Sequence, residues 1–183
     1  MPPSHPSRAP RAALWRWSGL PQWGAQQAAW WACVLWMGWA GPAAMLGFVC
    51  LHLVVLRRRW KAELALIAAA TALGAALDNL LALGGWVTYA GAVRVGLAPL
   101  WMVALWSGFG ATLRHSQSTL VRSAPVALGV GALGGPLAYR GGEALARLDV
   151  QGPPGWVAVS VGWAVVMLVL QRASRGERGA PPP

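Results

Sequence analysis

The sequence predicts an all-α fold, a polytopic membrane bundle with six transmembrane helices, and three observations carry that reading. Only 11% of the 183 residues are charged and 56% are hydrophobic, about half the charged fraction of an ordinary soluble domain. The charges are also confined to short stretches. Trp17 to Leu56, Val95 to Leu113, Ser123 to Tyr139 and Val150 to Gln171 carry none, and a bilayer-spanning helix needs ~20 apolar residues. Finally, there are 13 tryptophans, and Trp15, Trp17, Trp39, Trp60, Trp86 and Trp156 fall at predicted span ends, as an interfacial aromatic belt requires.

Residues 1–21 begin "MPPSHPSRAPRAA", too rich in Pro, Ser and Arg to bury a core, and read as a disordered cytoplasmic tail. Residues 22–171 form the transmembrane domain, and 172–183, ending "GAPPP", a second short tail. The first uncharged run, as one helix, would reach ~60 Å, twice the ~30 Å hydrocarbon thickness. Gly41 and Pro42 interrupt it, so it must fold back as two spans, about 22–40 and 42–56. The remaining spans are expected at about 63–84, 95–114, 124–140 and 155–171.

Counting Lys and Arg in alternate connecting segments puts twelve on one side and three (Arg94, Arg140 and Arg147) on the other. The larger group comprises Arg8, Arg11 and Arg16, the "RRRWK" run at 57–61, Arg114 and Arg122, and Arg172, Arg175 and Arg178. The positive-inside rule then places both termini in the cytoplasm. The net charge of +10 thus reports topology, and nucleic acid is excluded because the basic residues form no patch or helix stripe. Membrane lipids are the expected partners, with a membrane protein partner left open. Cys33 and Cys50 lie in apolar runs with no metal-binding spacing. A disulfide between them stays open, since a hairpin would put them at similar depth.

Within "LGAALDNLLALGG" at 73–85, Asp78 and Asn79 sit inside an otherwise apolar helix. Thr71, Gly74, Ala75, Ala82 and Gly85 share the face of Asp78, while Leu73, Leu77, Leu80 and Leu83 lie opposite. Small residues mark helix contacts, so Asp78 should point into the bundle and need a partner there. Candidates at similar depth are the Trp101 indole and, on the fifth helix, Tyr139, Arg140 and Glu143. That helix carries Ala127, Gly131 and Gly135 at i, i+4 spacing. Pro136 adds an expected kink with Gly135, and it leaves the carbonyl of Ala132 without its helical donor. Asp78, Asn79, Trp101, Tyr139, Arg140 and Glu143 thus form a candidate polar pocket, weighed against packing glue between helices.

A second group, Gln26, Gln27, His52, Arg114, His115, Ser116 and Gln117, falls near the cytoplasmic side. Two histidines on different helices invite a metal or haem reading, but there is no HExxH, no paired carboxylate and no cysteine beside them. No metal and no cofactor are expected. Neither a phosphate-binding glycine loop nor a nucleophile elbow is present, so no catalytic residue is assigned.

Three stretches, "QQAAWWACVL" at 26–35, "LAPLWMVALWSGFGATLRHS" at 97–116 and "GALGGPLAYRGGEAL" at 131–145, resemble a bacterial inner-membrane family called domain of unknown function 2878. The resemblance covers roughly residues 22–171. It implies a multi-pass protein of the inner membrane, hints at lipid metabolism and carries no activity. The expected function is a non-catalytic accessory or scaffold protein associated with lipid. The alternative is a small permease or lipid-binding transporter using a polar pocket around Asp78 and Arg140, and a lipid-directed enzyme comes third.

Overall fold

The computed structural model describes residues 19–176, so residues 1–18 and 177–183 of the two expected tails, with Arg8, Arg11, Arg16, Trp15, Trp17 and Arg178, lie outside the described residues. Among the described residues there are six α-helices, one for each expected span: α1 (Leu20–Leu35), α2 (Ala40–Val55), α3 (Trp60–Leu83), α4 (Leu100–Thr112), α5 (Ala124–Ala144) and α6 (Gly152–Gly176). The break between α1 and α2 falls at residues 36–39, ahead of the expected Gly41–Pro42 interruption, and Gly41 in the first turn of α2 instead permits close approach to α1, since a Cβ there would lie 2.6 Å from the Cα of Cys33. Ser123 caps α5, its hydroxyl accepting from the Val126 amide, with proline in the first turn behind it.

Two helical segments, Arg57–Leu83 and Gly152–Arg175, are long and apolar enough to cross a membrane, while Ala40–Val55 and Leu100–Thr112 are apolar but shorter. Helix α4 starts at Leu100 and not near residue 95, because residues 87–99 form extended structure. Strand β1 (Val87–Tyr89) pairs antiparallel with β4 (Leu148–Val150), and β2 (Arg94–Val95) with β3 (Ala98–Pro99). In the first pair Val87, Tyr89, Leu148 and Val150 are buried and Thr88 and Asp149 exposed, the period-2 alternation of a strand covering a core. Sequence reading missed these strands because three residues are too few to establish a period.

Helix α5 packs on α6, α3 on α4 and α6, and α1 and α2 on each other and on α4. The small strip of α5 faces α6: a Cβ on Gly131 would lie 2.6 Å from the Trp163 carbonyl oxygen. Pro136 does not end α5, which continues to Ala144. The Ala132 carbonyl that Pro136 leaves without a donor accepts instead from the Ser160 hydroxyl of α6 at 2.7 Å. Leu77, expected on the face opposite Asp78, is buried against Gly162, because α3 is contacted by α6 as well as α4. Cys33 is buried and Cys50 exposed, and both are free thiols.

Beside its apolar core the bundle also buries polar side chains and exposes large apolar ones. Gln22, Gln26, His52, Glu63, Asp78 and Gln171 are buried, whereas Leu133 and Leu137 on α5 are 76% and 74% exposed. Val157, Val161, Val165 and Val169 line an exposed strip of α6 at i, i+4 spacing.

Candidate functional site

Two buried polar clusters stand at opposite ends of α3, fifteen positions apart at Glu63 and Asp78, or ~22 Å along the axis. The Asp78 cluster lies where the loops after α3 and α5 pair. Antiparallel pairing of β1 with β4 carries Tyr89 over the end of α3. Its hydroxyl donates to Asp78 Oδ1 at 2.8 Å, the Tyr139 hydroxyl donates to the same oxygen, and Trp106 Nε1 donates to Oδ2 at 2.8 Å. A fully buried carboxylate thus has a donor from α4, one from α5 and one from the strand pair. Gly74 permits this arrangement, since a Cβ there would overlap the Trp106 ring. Burial, with Asp78 and Tyr139 alongside, pushes the Tyr89 phenol well above its ordinary value, so it remains a donor.

Of the six residues proposed for this pocket, Asp78 and Tyr139 are brought together. Trp101 is not a partner of Asp78: its indole donates to the Ala90 carbonyl at 2.8 Å, because α4 begins later than expected and Trp101 sits beneath the loop. Arg140 does not reach inward either. It lies on the outer face of α5, pairs with Glu143 at 3.1 Å and stacks over Trp156 at 4.0 Å, while Glu143 also accepts from the Val150 amide at 2.9 Å. Asn79 serves the β2–β3 hairpin, donating to the carbonyls of Ala75 and Val95 and accepting from the amides of Leu97 (2.6 Å) and Ala98 (3.3 Å). That hairpin turns at Gly96, φ +68°, a left-handed conformation that favours glycine. Sequence reasoning missed Tyr89, whose only signal was a tyrosine between two turn-forming glycines, and did not pair Trp106 with the acid.

The second cluster joins α1, α2, α3 and the turn after α4. Glu63, in the first turn of α3 where the helix dipole favours an acid, is 2% exposed. Its Oε2 lies 3.4 Å from His52 Nε2 and 3.2 Å from His115 Nε2. Gln22 on α1 donates to the Ala111 carbonyl at 3.1 Å and accepts from the Ser116 amide at 3.1 Å, which fixes its amide orientation. Its Nε2 faces His52 Nδ1 at 3.2 Å. The sequence placed both histidines near this end but offered no reason to bring Glu63 between them.

Between the clusters runs a cleft of about 290 Å³. Gln26, Gln27, Trp30 and Val34 of α1 form one wall, Val130, Gly134 and Ala138 of α5 the other, and Trp101, Leu105, Trp106 and Phe109 of α4 the floor. Gln117 stands at one end and Arg147 at the other. Along α5, from Val130 to Gly142, the cleft extends ~18 Å. Asp78 lies outside it, sealed behind Trp106 and Tyr139, which contribute to its lining. Trp163, in contact with Trp106 at 4.4 Å between ring centroids, leaves its indole N–H without a protein acceptor, and Gln26 leaves Oε1 without a donor.

Fold and site together define a helical-bundle protein with two membrane-capable helices, two buried carboxylates and an apolar cleft. The family described as a protein of unknown function (DUF2878) matches residues 22–169, and the chain belongs to that family. No curated relative and no solved structure matches it.

Proposed function

We propose that the protein is a six-span inner-membrane protein, both termini cytoplasmic, whose non-catalytic accessory role is to hold a lipid in its lateral cleft. The exposed leucines and valines of α5 and α6 support the membrane setting, since an apolar surface of that extent faces lipid more cheaply than water. Helix α4 is too short to meet lipid along a whole bilayer, but its Trp101, Trp106, Gly108, Gly110 and Ala111 are buried, and backbone enclosed by protein escapes that length requirement. Among the described residues, Arg57, Arg58, Arg59, Lys61, Arg114, Arg122, Arg172 and Arg175 lie in or beside the terminal turns of helices at one end, and Arg94, Arg140 and Arg147 in or beside those at the other. The positive-inside rule orients the first group to the cytoplasm.

The observation that carries the lipid reading is the cleft. It is aromatic and aliphatic along its length with few polar groups, the composition of a site for an apolar ligand. The permease alternative loses support, because Arg140 faces outward and Asp78 is enclosed. The test is mass spectrometry of lipid co-purifying with the protein in mild detergent, compared with Gly134→Leu. A Cβ at Gly134 meets nothing closer than Val130 Cγ1 at 3.8 Å, so the added side chain enters the cleft without disturbing a helix contact. Lipid should be retained by the wild type and depleted in the variant. Equal retention, or none in the wild type, would overturn the reading.

A further inference from the structure

We propose that His52, Glu63 and His115 bind a first-row divalent cation, Zn²⁺ in the first instance. This is independent of what the cleft holds. The three donor atoms lie within 4.8 Å of one another and belong to three different segments, so the fold assembles them. They comprise two imidazoles and one carboxylate, a donor set that Zn²⁺ accepts and that leaves a coordination position free for water.

The spacing favours a cation over direct hydrogen bonds. A buried charge-assisted N–H···O bond closes to ~2.7–2.9 Å, but the two contacts here are 3.4 and 3.2 Å. The His115 Nε2 is buried yet lacks hydrogen-bond alignment with any acceptor. A tetrahedral site with bonds of ~2.1 Å places neighbouring donors ~3.4 Å apart, close to the two histidine–carboxylate separations of 3.4 and 3.2 Å. Burial adds a requirement: a carboxylate this enclosed needs a compensating positive charge.

Gln22 makes the inference more specific. Its two backbone bonds aim Nε2 at His52 Nδ1, so metal-free His52 carries its proton on Nε2, toward Glu63. A metal displaces that proton and requires Nδ1 to become the N–H, and a metal-bound histidine needs an acceptor behind it. The Gln22 amide must therefore turn on metal binding, and Gln22→Glu, which presents a carboxylate oxygen to Nδ1–H, should bind at least as tightly as the wild type.

Untagged full-length protein purified in detergent is titrated with Co²⁺ and followed by its visible d–d absorption, with Zn²⁺ as competitor. One equivalent should bind with micromolar or better affinity and be displaced by Zn²⁺. Glu63→Gln and His115→Ala should weaken binding by roughly 100-fold or more, beyond the effect of losing an outer-shell partner. Absence of Co²⁺ binding to the wild type overturns the proposal without reference to any variant. So does a Co²⁺ affinity unchanged in both ligand variants, or one lost in Gln22→Glu while that protein remains helical and monodisperse.

Discussion

Replacing Asp78 separates a structural acid from a replaceable polar residue. Asp78→Ala leaves three buried donors, the Tyr89 and Tyr139 hydroxyls and the Trp106 indole, facing a void. In the membrane setting proposed above, side-chain hydrogen bonds average ~0.6 kcal/mol and reach ~1.7, so losing three costs about 2–5 kcal/mol. At ~2–4 °C per kcal/mol for a chain of this length, the melting temperature should fall by roughly 4–20 °C. Asp78→Asn should be much milder, because its amide can meet all three groups. The oxygen accepts from Trp106 while Nδ2 donates to the tyrosine oxygens, which accept as readily as they donate. A loss of no more than about 1 kcal/mol is expected, the value of one hydrogen bond. The assay is thermal unfolding in detergent, followed by tryptophan fluorescence. An alanine variant as stable as the wild type, or an asparagine variant less stable than alanine, would refute the geometry.

Ser160→Ala should cost about 1 kcal/mol, since the Ala132 carbonyl loses its donor. The loss should largely vanish in a Pro136→Ala background, where residue 136 regains the amide that completes the helix, so a double-mutant cycle in the same melts should show coupling near the full single-mutant value. Arg140→Ala should cost no more than about 1 kcal/mol, as its side chain is 65% exposed, its pairing with Glu143 lies on the surface and its stacking over Trp156 is an exposed cation–π contact. A loss well above that in the same melts would put Arg140 back in the core.

The helices were legible because their signals are long. Four uncharged stretches and the small strip of α5 each extend over many positions, and periodicity averages out local exceptions. The inward direction of Asp78 was legible for the same reason, from five small residues on one face. Its partners were not. Tyr89 reaches Asp78 only through strand pairing between residues some sixty positions apart, and three-residue strands carry no detectable period. Trp101 was the partner expected by depth, but a start of α4 five residues later than expected gave the acid to Trp106 and left Trp101 under the loop. Glu63 looked like an ordinary first-turn acid. Only the packing of α1 and α2 against the end of α4 reveals that it stands between two histidines.

The position of the cleft follows from where the polar groups anchor the helices. Helices α3 and α4 meet at two polar points, the bond from Trp106, midway along α4, to Asp78, and the 3.2 Å approach of His115, in the turn after α4, to Glu63. Helix α1 is tied by Gln22 to the backbone of Ala111 and Ser116, at the His–Glu end. Helix α5 is tied by Tyr139 to Asp78, at the opposite end. Each wall of the cleft is thus fixed to α3 or α4 by hydrogen bonds near one end, and the ends differ. Apolar contact must hold the rest of each wall, and such contact is non-directional, so a lipid chain between α1 and α5 can replace it without stranding a polar group. The carboxylates that interrupt the apolar helix therefore set the frame around the cleft, and the three unpartnered polar atoms of its described lining residues, Gln26 Oε1, Arg147 Nε and Trp163 Nε1, are the ones a bound molecule is free to satisfy.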